Sequence, residues 1–166
     1  MNAKKYLRGF TLIELMATIA VAGIMLAVAA PGLANLMRQN RIATASSDLV
    51  GSMTYTRGEA VRRGKAVSLC PAAGGLHKGW TVQIGSTCAS SNIVLVERDE
   101  LTGIDFPGGA ITAPLTVNPM GVAKATWLND GFVIQAAQCK KDDPGARRAL
   151  TFSPLLEIDA ARQACQ

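Results

Sequence analysis

The 166-residue sequence has one histidine, and none of its four cysteines (Cys70, Cys88, Cys139, Cys165) lies in a Cys-x-x-Cys pair. That lack argues against a zinc site, whose ligands come in closely spaced pairs. No Gly-x-x-x-x-Gly-Lys-Ser/Thr loop occurs, so no phosphate cradle of that kind is encoded. No Gly-x-Ser-x-Gly elbow occurs either. His77 sits in a glycine-rich loop without a visible orienting group, which reads as an exposed histidine and not a general base. Asp99-Glu100 and Asp142-Asp143 lack the EF-hand spacing and read as solvated loop charges. Trp80 and Trp127 read as core or sheet-face residues. Internal repeats and low-complexity tracts are also missing. The chain is therefore not expected to be an enzyme, and it calls for no cofactor and no metal.

Charge is missing from one long stretch. Between Phe10 and Ala30 the single charged residue is Glu14, and the rest is apolar, small or hydroxylated. About 20 such residues cross a bilayer as a helix. Lys4, Lys5 and Arg8 precede the stretch, and no acidic residue does. A basic flank ahead of an apolar span stays in the cytoplasm, which places the remaining chain outside it. Glu14 is the anomaly. A carboxylate inside such a span costs roughly 2.5–3.5 kcal/mol on insertion scales and normally has a partner. A cut after Gly9 would supply one, the new amine of Phe10, from the same chain or from a neighbour packed beside it. An ordinary signal peptide is the alternative, but it has a shorter apolar core followed by a small-residue cleavage site, and no clear site of that kind occurs.

The run Arg8-Gly9-Phe10-Thr11-Leu12-Ile13-Glu14 resembles the leader junction of type IV pilins and type II secretion pseudopilins. The resemblance implies that a membrane-embedded prepilin peptidase cuts after Gly9 and methylates the amine of Phe10. It also implies an inner-membrane, single-pass subunit with a periplasmic C-terminal domain. Assembly would then carry that subunit to the pilus and the cell surface. Its partners would be the peptidase, other major and minor pilins, and an inner-membrane assembly platform.

Formal net charge is +5, but the leader supplies three of the basic residues, so the other 157 residues carry 14 basic and 12 acidic side chains. That small surplus is no sign of nucleic-acid binding. In an exported domain an even cysteine count argues for disulfides. Three pairings are possible. Cys70 with Cys88 and Cys139 with Cys165 are favoured because both are local in sequence and do not interlace.

Taken in order, residues 1–9 read as leader and residues 10–32 as the hydrophobic transmembrane and assembly half of a helix. Residues 33–63 read as its amphipathic half, and residues 64–166 as a β-rich domain. Pro31 removes one helical hydrogen bond, and Gly23 is a second weak point. In filaments of the resembled family the segment corresponding to 23–31 loosens, and a simple kink is the alternative. Beyond it, Leu36, Ala43 and Val50 recur at seven, while Ile42, Leu49, Met53, Thr56 and Ala60 recur at three, four and seven. Such spacing marks an apolar helix face. Arg38, Arg41, Asp48, Arg57 and Arg62 are expected opposite it. Arg63-Gly64 reads as the stop. Short β-like runs follow at 65–70, 79–84, 93–96, 111–117, 131–136 and 149–152, broken by turn residues. The expected fold class is α+β, a type IV pilin fold in which the long N-terminal helix packs, through its amphipathic half, on a C-terminal antiparallel β-sheet domain.

Thr56-Arg57-Gly58-Glu59-Ala60, the basic pair Arg62-Arg63, Gly64, and the strand ending in Cys70 resemble GspH/FimT-type pilins. Gly79-Trp80, Phe152-Ser153-Pro154 and Cys165 are similar to later family elements. The implied function is that of a FimT/FimU-type minor pilin, a low-copy structural subunit for pilus assembly at or near the tip. Twitching, adhesion and DNA uptake are its expected settings. One alternative is a minor pseudopilin of a type II secretion system. Another is a DNA-binding minor pilin for natural transformation. DNA-binding members carry Gly-Arg-x-Arg soon after the Ser-Pro of the last strand. Here Ser153-Pro154 is followed by Leu155-Leu156-Glu157-Ile158-Asp159, without arginine. The candidate DNA contacts are then Lys140, Lys141, Arg147 and Arg148, with Arg162 as an outlier. A solvated charged loop is the preferred reading of that cluster.

Overall fold

The structure, a computed structural model, describes residues 10–128 and 130–166. The 52-residue helix α1, Leu12–Arg63, comes first. By compactness the chain divides into two units, Met1–Met37 and Arg38–Gln166. The described part of the first unit is helical from Leu12 on, and its large apolar side chains are exposed, from Phe10 at 80% to Met37 at 52%. α1 is long and apolar enough to cross a membrane.

The second unit has its own core, and the helical segment within it shows why. Ile42, Leu49 and Thr56 are fully buried, and the pairs Ala45/Ser46, Ser52/Met53 and Glu59/Ala60 are buried beside them. The face therefore repeats every 3.5 residues, a narrow seam and not a broad stripe. Leu36 is exposed, while Ala43 and Val50 are half-buried, so that row of seven is not the buried face. Arg38 and Arg57, expected to point away, are half-buried as well. Polar members of the seam bond to their own helix. Ser46 Oγ donates to the Ile42 carbonyl at 2.7 Å, Ser52 Oγ to Asp48 at 2.8 Å and Thr56 Oγ1 to Ser52 at 2.7 Å. A hydroxyl that donates to the carbonyl four residues back stays hydrogen-bonded when buried. The helix stops at Gly64, whose φ of 60° suits glycine and whose N–H bonds back to Val61.

The expected antiparallel β-sheet domain follows, and among the described residues it consists of nine strands in two antiparallel sheets. The first sheet contains β1 (Val67–Pro71), β2 (Trp80–Ile84), β3 (Val94–Arg98), β5 (Leu115–Val117) and β6 (Ala123–Lys124), in the order β3-β2-β1-β5-β6. The second contains β4 (Ile104–Asp105), β7 (Phe132–Ala136), β8 (Pro144–Phe152) and β9 (Ile158–Ala164), in the order β4-β7-β8-β9. The strands β4, β6 and β9 have no counterpart in the sequence pattern, and β8 begins five residues before the run at 149–152. Where β2 begins, Gly79 has φ 108° and lies against the Arg98 carbonyl, so any side chain there would collide with β3.

Both sheets and the helical seam contribute to one core. Val67, Leu69, Val82, Leu115 and Val117 of the first sheet, and Ile134 and Leu150 of the second, join Ile42, Leu49 and Met53. Trp80 is buried in that core. Trp127 packs edge-on against Phe132 and Phe152, and its Nε1 donates to the Ala113 carbonyl at 2.9 Å.

Candidate functional site

The helix opens on a reciprocal cap. Thr11 precedes the first helical residue, and Glu14 is the third. Glu14 N–H donates to Thr11 Oγ1 at 3.3 Å, while Thr11 N–H donates to Glu14 Oε2 at 3.2 Å. Thr11 Oγ1 and Glu14 Oε2 also lie 3.2 Å apart. This is a capping box, which satisfies two helix-end donors at once and places negative charge at the positive end of the helix dipole. The Thr-x-x-Glu spacing was its sequence signal. The cap partners Glu14 with Thr11 inside the chain, beside the amine of Phe10 that the hydropathy pattern suggests as its partner. Phe10, the expected methylation site, is exposed just ahead of the cap. Gly9, the expected cleavage site, lies outside the described residues, as do Lys4, Lys5 and Arg8. Pro31 falls inside α1, which continues through it.

Two disulfides staple the second unit. Cys70 is joined to Cys88 with Cα atoms 5.7 Å apart, and Cys139 to Cys165 at 5.6 Å. The first ties β1 to the loop after β2. The second holds the end of β9, where Asp142 N–H also donates to the Cys165 carbonyl and Cys165 N–H to that of Asp143. Among the described residues no group of three or more His, Cys, Asp or Glu side chains converges as a metal site would require.

The four candidate DNA contacts do not form one patch. Lys140 and Lys141 are exposed on the turn before β8. Arg147 and Arg148 are consecutive in β8 and so point to opposite faces of the sheet. Arg147 pairs in register with Gln135 and Gln163, and lines a cleft of about 720 Å³ together with Gln135, Thr151 and Gln166. Arg148 is in register with the buried Ile134 on one side and Arg162 on the other. Asp143 faces Arg38 of α1, with Nη2 and Oδ2 3.6 Å apart, and Arg38 Nη1 donates to the Gln138 carbonyl. One acid of the cluster is thus committed to holding the helix.

At the other end of α1, Glu59 is buried and receives hydrogen bonds from Arg62 at 2.7 and 3.0 Å and from Arg63 at 2.5 Å. These bonds, Arg62's first and Arg63's next, hold its carboxyl at about 2, below the usual 4.5, against the opposing effect of burial. This fork closes the seam where the helix ends.

The family model described as type II transport protein GspH matches residues 45–155, two thirds of the chain. The chain belongs to the GspH family of type IV pilin-like proteins. The prokaryotic N-terminal methylation motif matches residues 4–30, the segment that contains Gly9, Phe10 and the Thr11–Glu14 cap. Among solved structures it is similar to the type IV minor pilin FimU of Pseudomonas aeruginosa PAO1. In the P21 crystal form the identity is 21% and the TM-score 0.53, over 78% of this chain and 98% of that one. In the P65 form the values are 23%, 0.49, 74% and 98%. The P21 likeness identifies the fold, a long N-terminal helix with an antiparallel β domain. No curated protein matches the chain. Membership in the family implies processing by a prepilin peptidase and pilin subunits as partners.

Proposed function

We propose that the chain is a minor pilin, a low-copy structural subunit of a type IV pilus that works in assembly at or near the tip. In this reading the peptidase cuts after Gly9 and methylates Phe10. Residues 10–32 then hold the subunit in the inner membrane, with its β domain in the periplasm. The observation that carries the reading is the helix end itself: exposed apolar side chains from Phe10 to Met37 surrounding one capped carboxylate. Moving such a helix from lipid into a bundle of sibling helices exchanges one apolar surrounding for another, so burial alone gives little specificity. A charge pair between Glu14 and a free amine supplies it and sets the register. Pro31 and Gly23 are the places where the helix can loosen as it leaves the bilayer. The assembly platform and the sibling pilins are the partners this requires.

A second reading, a pseudopilin of a type II secretion system, is favoured by the description of the matching family model. Deletion of the gene separates the two: loss of surface pili and twitching supports the first, and loss of exoprotein secretion supports the second. Recovery of the cleaved chain in sheared pili completes the test, and its absence there defeats the minor-pilin reading. DNA binding receives little support from a cluster whose arginines face apart. Salt-sensitive retention of duplex DNA, lost on charge reversal at Arg147 and Arg148, would reinstate it.

A further inference from the structure

The order of the second sheet ends at β9, so among the described residues no strand pairs with the outer side of Ile158–Ala164. Residues 159–164 are exposed. A free edge of seven residues offers a row of backbone donors and acceptors, and proteins normally blunt such edges with proline, lysine, a bulge or a covering element. β9 contains no proline and no lysine, and its pairing with β8 is regular from Arg147 to Phe152. Ala160, Ala161 and Ala164 leave its backbone open to approach.

A separate observation concerns charge. Arg148 and Arg162 are direct cross-strand partners. Side chains so placed start about 5 Å apart on one face, and like charges there repel. Neither arginine takes part in an ion pair among the described residues. A carboxylate brought up to Arg162 from the free edge offsets that repulsion with a charge-assisted hydrogen bond. The rest of the edge selects the kind of anion. Glu157 precedes the strand and Asp159 lies on it, on the face opposite Arg162, so a continuous polyanion tracking this edge would meet two carboxylates. No aromatic side chain lies on β9 to stack a base. A polypeptide strand with one acidic residue in register meets neither obstacle.

We propose that β9 is a docking edge for an extended acidic segment of a neighbouring sibling subunit. That segment adds a strand to the sheet through backbone hydrogen bonds and places one carboxylate beside Arg162, across β9 from Arg148. The proposal rests on the reading of the chain as a subunit of an assembly.

The test uses the full chain, expressed in its own cells with its siblings and carrying a benzophenone amino acid at Ala161 or Gln163. The expected result is an adduct with an Asp- or Glu-bearing segment of a sibling subunit. Its yield should fall about tenfold in Arg162→Glu and recover when the partner's acid is changed to lysine. Arg162→Lys, which keeps the charge at an exposed position, should retain most of the adduct, and intact disulfides on non-reducing gels confirm the fold of each variant. No adduct, an adduct with lipid, nucleic acid, a second copy of this chain or a segment lacking an acid, or a yield indifferent to Arg162→Glu overturns the proposal. Recovery of the chain in sheared filaments is scored separately. Presence there without a β9 adduct defeats the edge alone, and absence defeats the filament reading.

Discussion

Thr11 and Glu14 hold each other at the start of α1, each side-chain oxygen accepting the other's backbone N–H, at 3.3 and 3.2 Å. Glu14 therefore has two uses. It completes its own helix end, and it is available to a free amine from a neighbour. The two differ in what they require. The cap needs an acceptor oxygen, which glutamine also provides, whereas pairing with an amine in a bilayer or a helical bundle needs the charge.

Substitutions at these two positions separate the uses. Glu14→Gln keeps the cap and loses the charge, so the protein should be cleaved normally, retain its helicity and enter filaments poorly. Glu14→Ala should be processed and fail in the same way. Thr11→Ala removes the cap at a cost of about 1 kcal/mol in helix stability but leaves the charge, so it should still be incorporated. Filament content by immunoblot and helicity by circular dichroism in detergent are the measurements. Normal incorporation of Glu14→Gln would reduce Glu14 to a helix cap.

The buried seam gives a second pair of outcomes. Leu49→Ala empties a fully buried position and should destabilise the second unit by about 2–5 kcal/mol. Leu36→Ala removes an exposed side chain and should shift stability by about 0.5 kcal/mol or less. Denaturant unfolding of the two variants of the full chain, in the same detergent, decides it. Equal effects would mean that the row through Leu36, Ala43 and Val50 also carries packing.

How much of this was readable from the sequence depends on which force shapes each element. The stop at Arg63-Gly64 and the strand holding Trp80 and Val82 were legible, because a left-handed glycine and a period of two act locally. β9 was not. Its sequence Ile-Asp-Ala-Ala-Arg-Gln-Ala has a single β-branched residue and three alanines, a composition closer to helix than to strand. It is a strand because β8 pairs with it along its length and Cys139 holds its end. The relation between Arg148 and Arg162 was hidden for the same reason, since it exists only through that pairing. Thr-x-x-Glu, in contrast, is legible in the sequence, because a capping box acts within four residues.

The disulfides should matter unequally. In the loop-entropy account, each bridge, spanning 18 and 26 residues, stabilises by about 3 kcal/mol. The bridge between Cys139 and Cys165 also holds the end of an edge strand, so its loss should free β9 as well as lower global stability. Cys139→Ser/Cys165→Ser should therefore raise amide hydrogen exchange in residues 158–164 more than Cys70→Ser/Cys88→Ser does. Equal exchange in the two variants would show that pairing with β8 alone fixes β9.

Acid should act through Glu59. Its carboxyl sits at about 2 in the folded chain, because Arg62 and Arg63 donate to it, and near 4.5 when unfolded. Between those values the unfolded state binds the extra proton, so stability falls as the pH falls. The contribution is fully present above about 4.5 and is lost as the pH drops through about 2. Glu59→Gln removes this group from the titration and should flatten that part of the acid limb while lowering stability at neutral pH. Stability followed from pH 7 downward, in wild type and variant, measures both. The two curves should converge toward the acid end, where the wild-type carboxyl is protonated as well. Parallel curves through the whole range would mean that the arginine fork does not discriminate between the folded and unfolded chain.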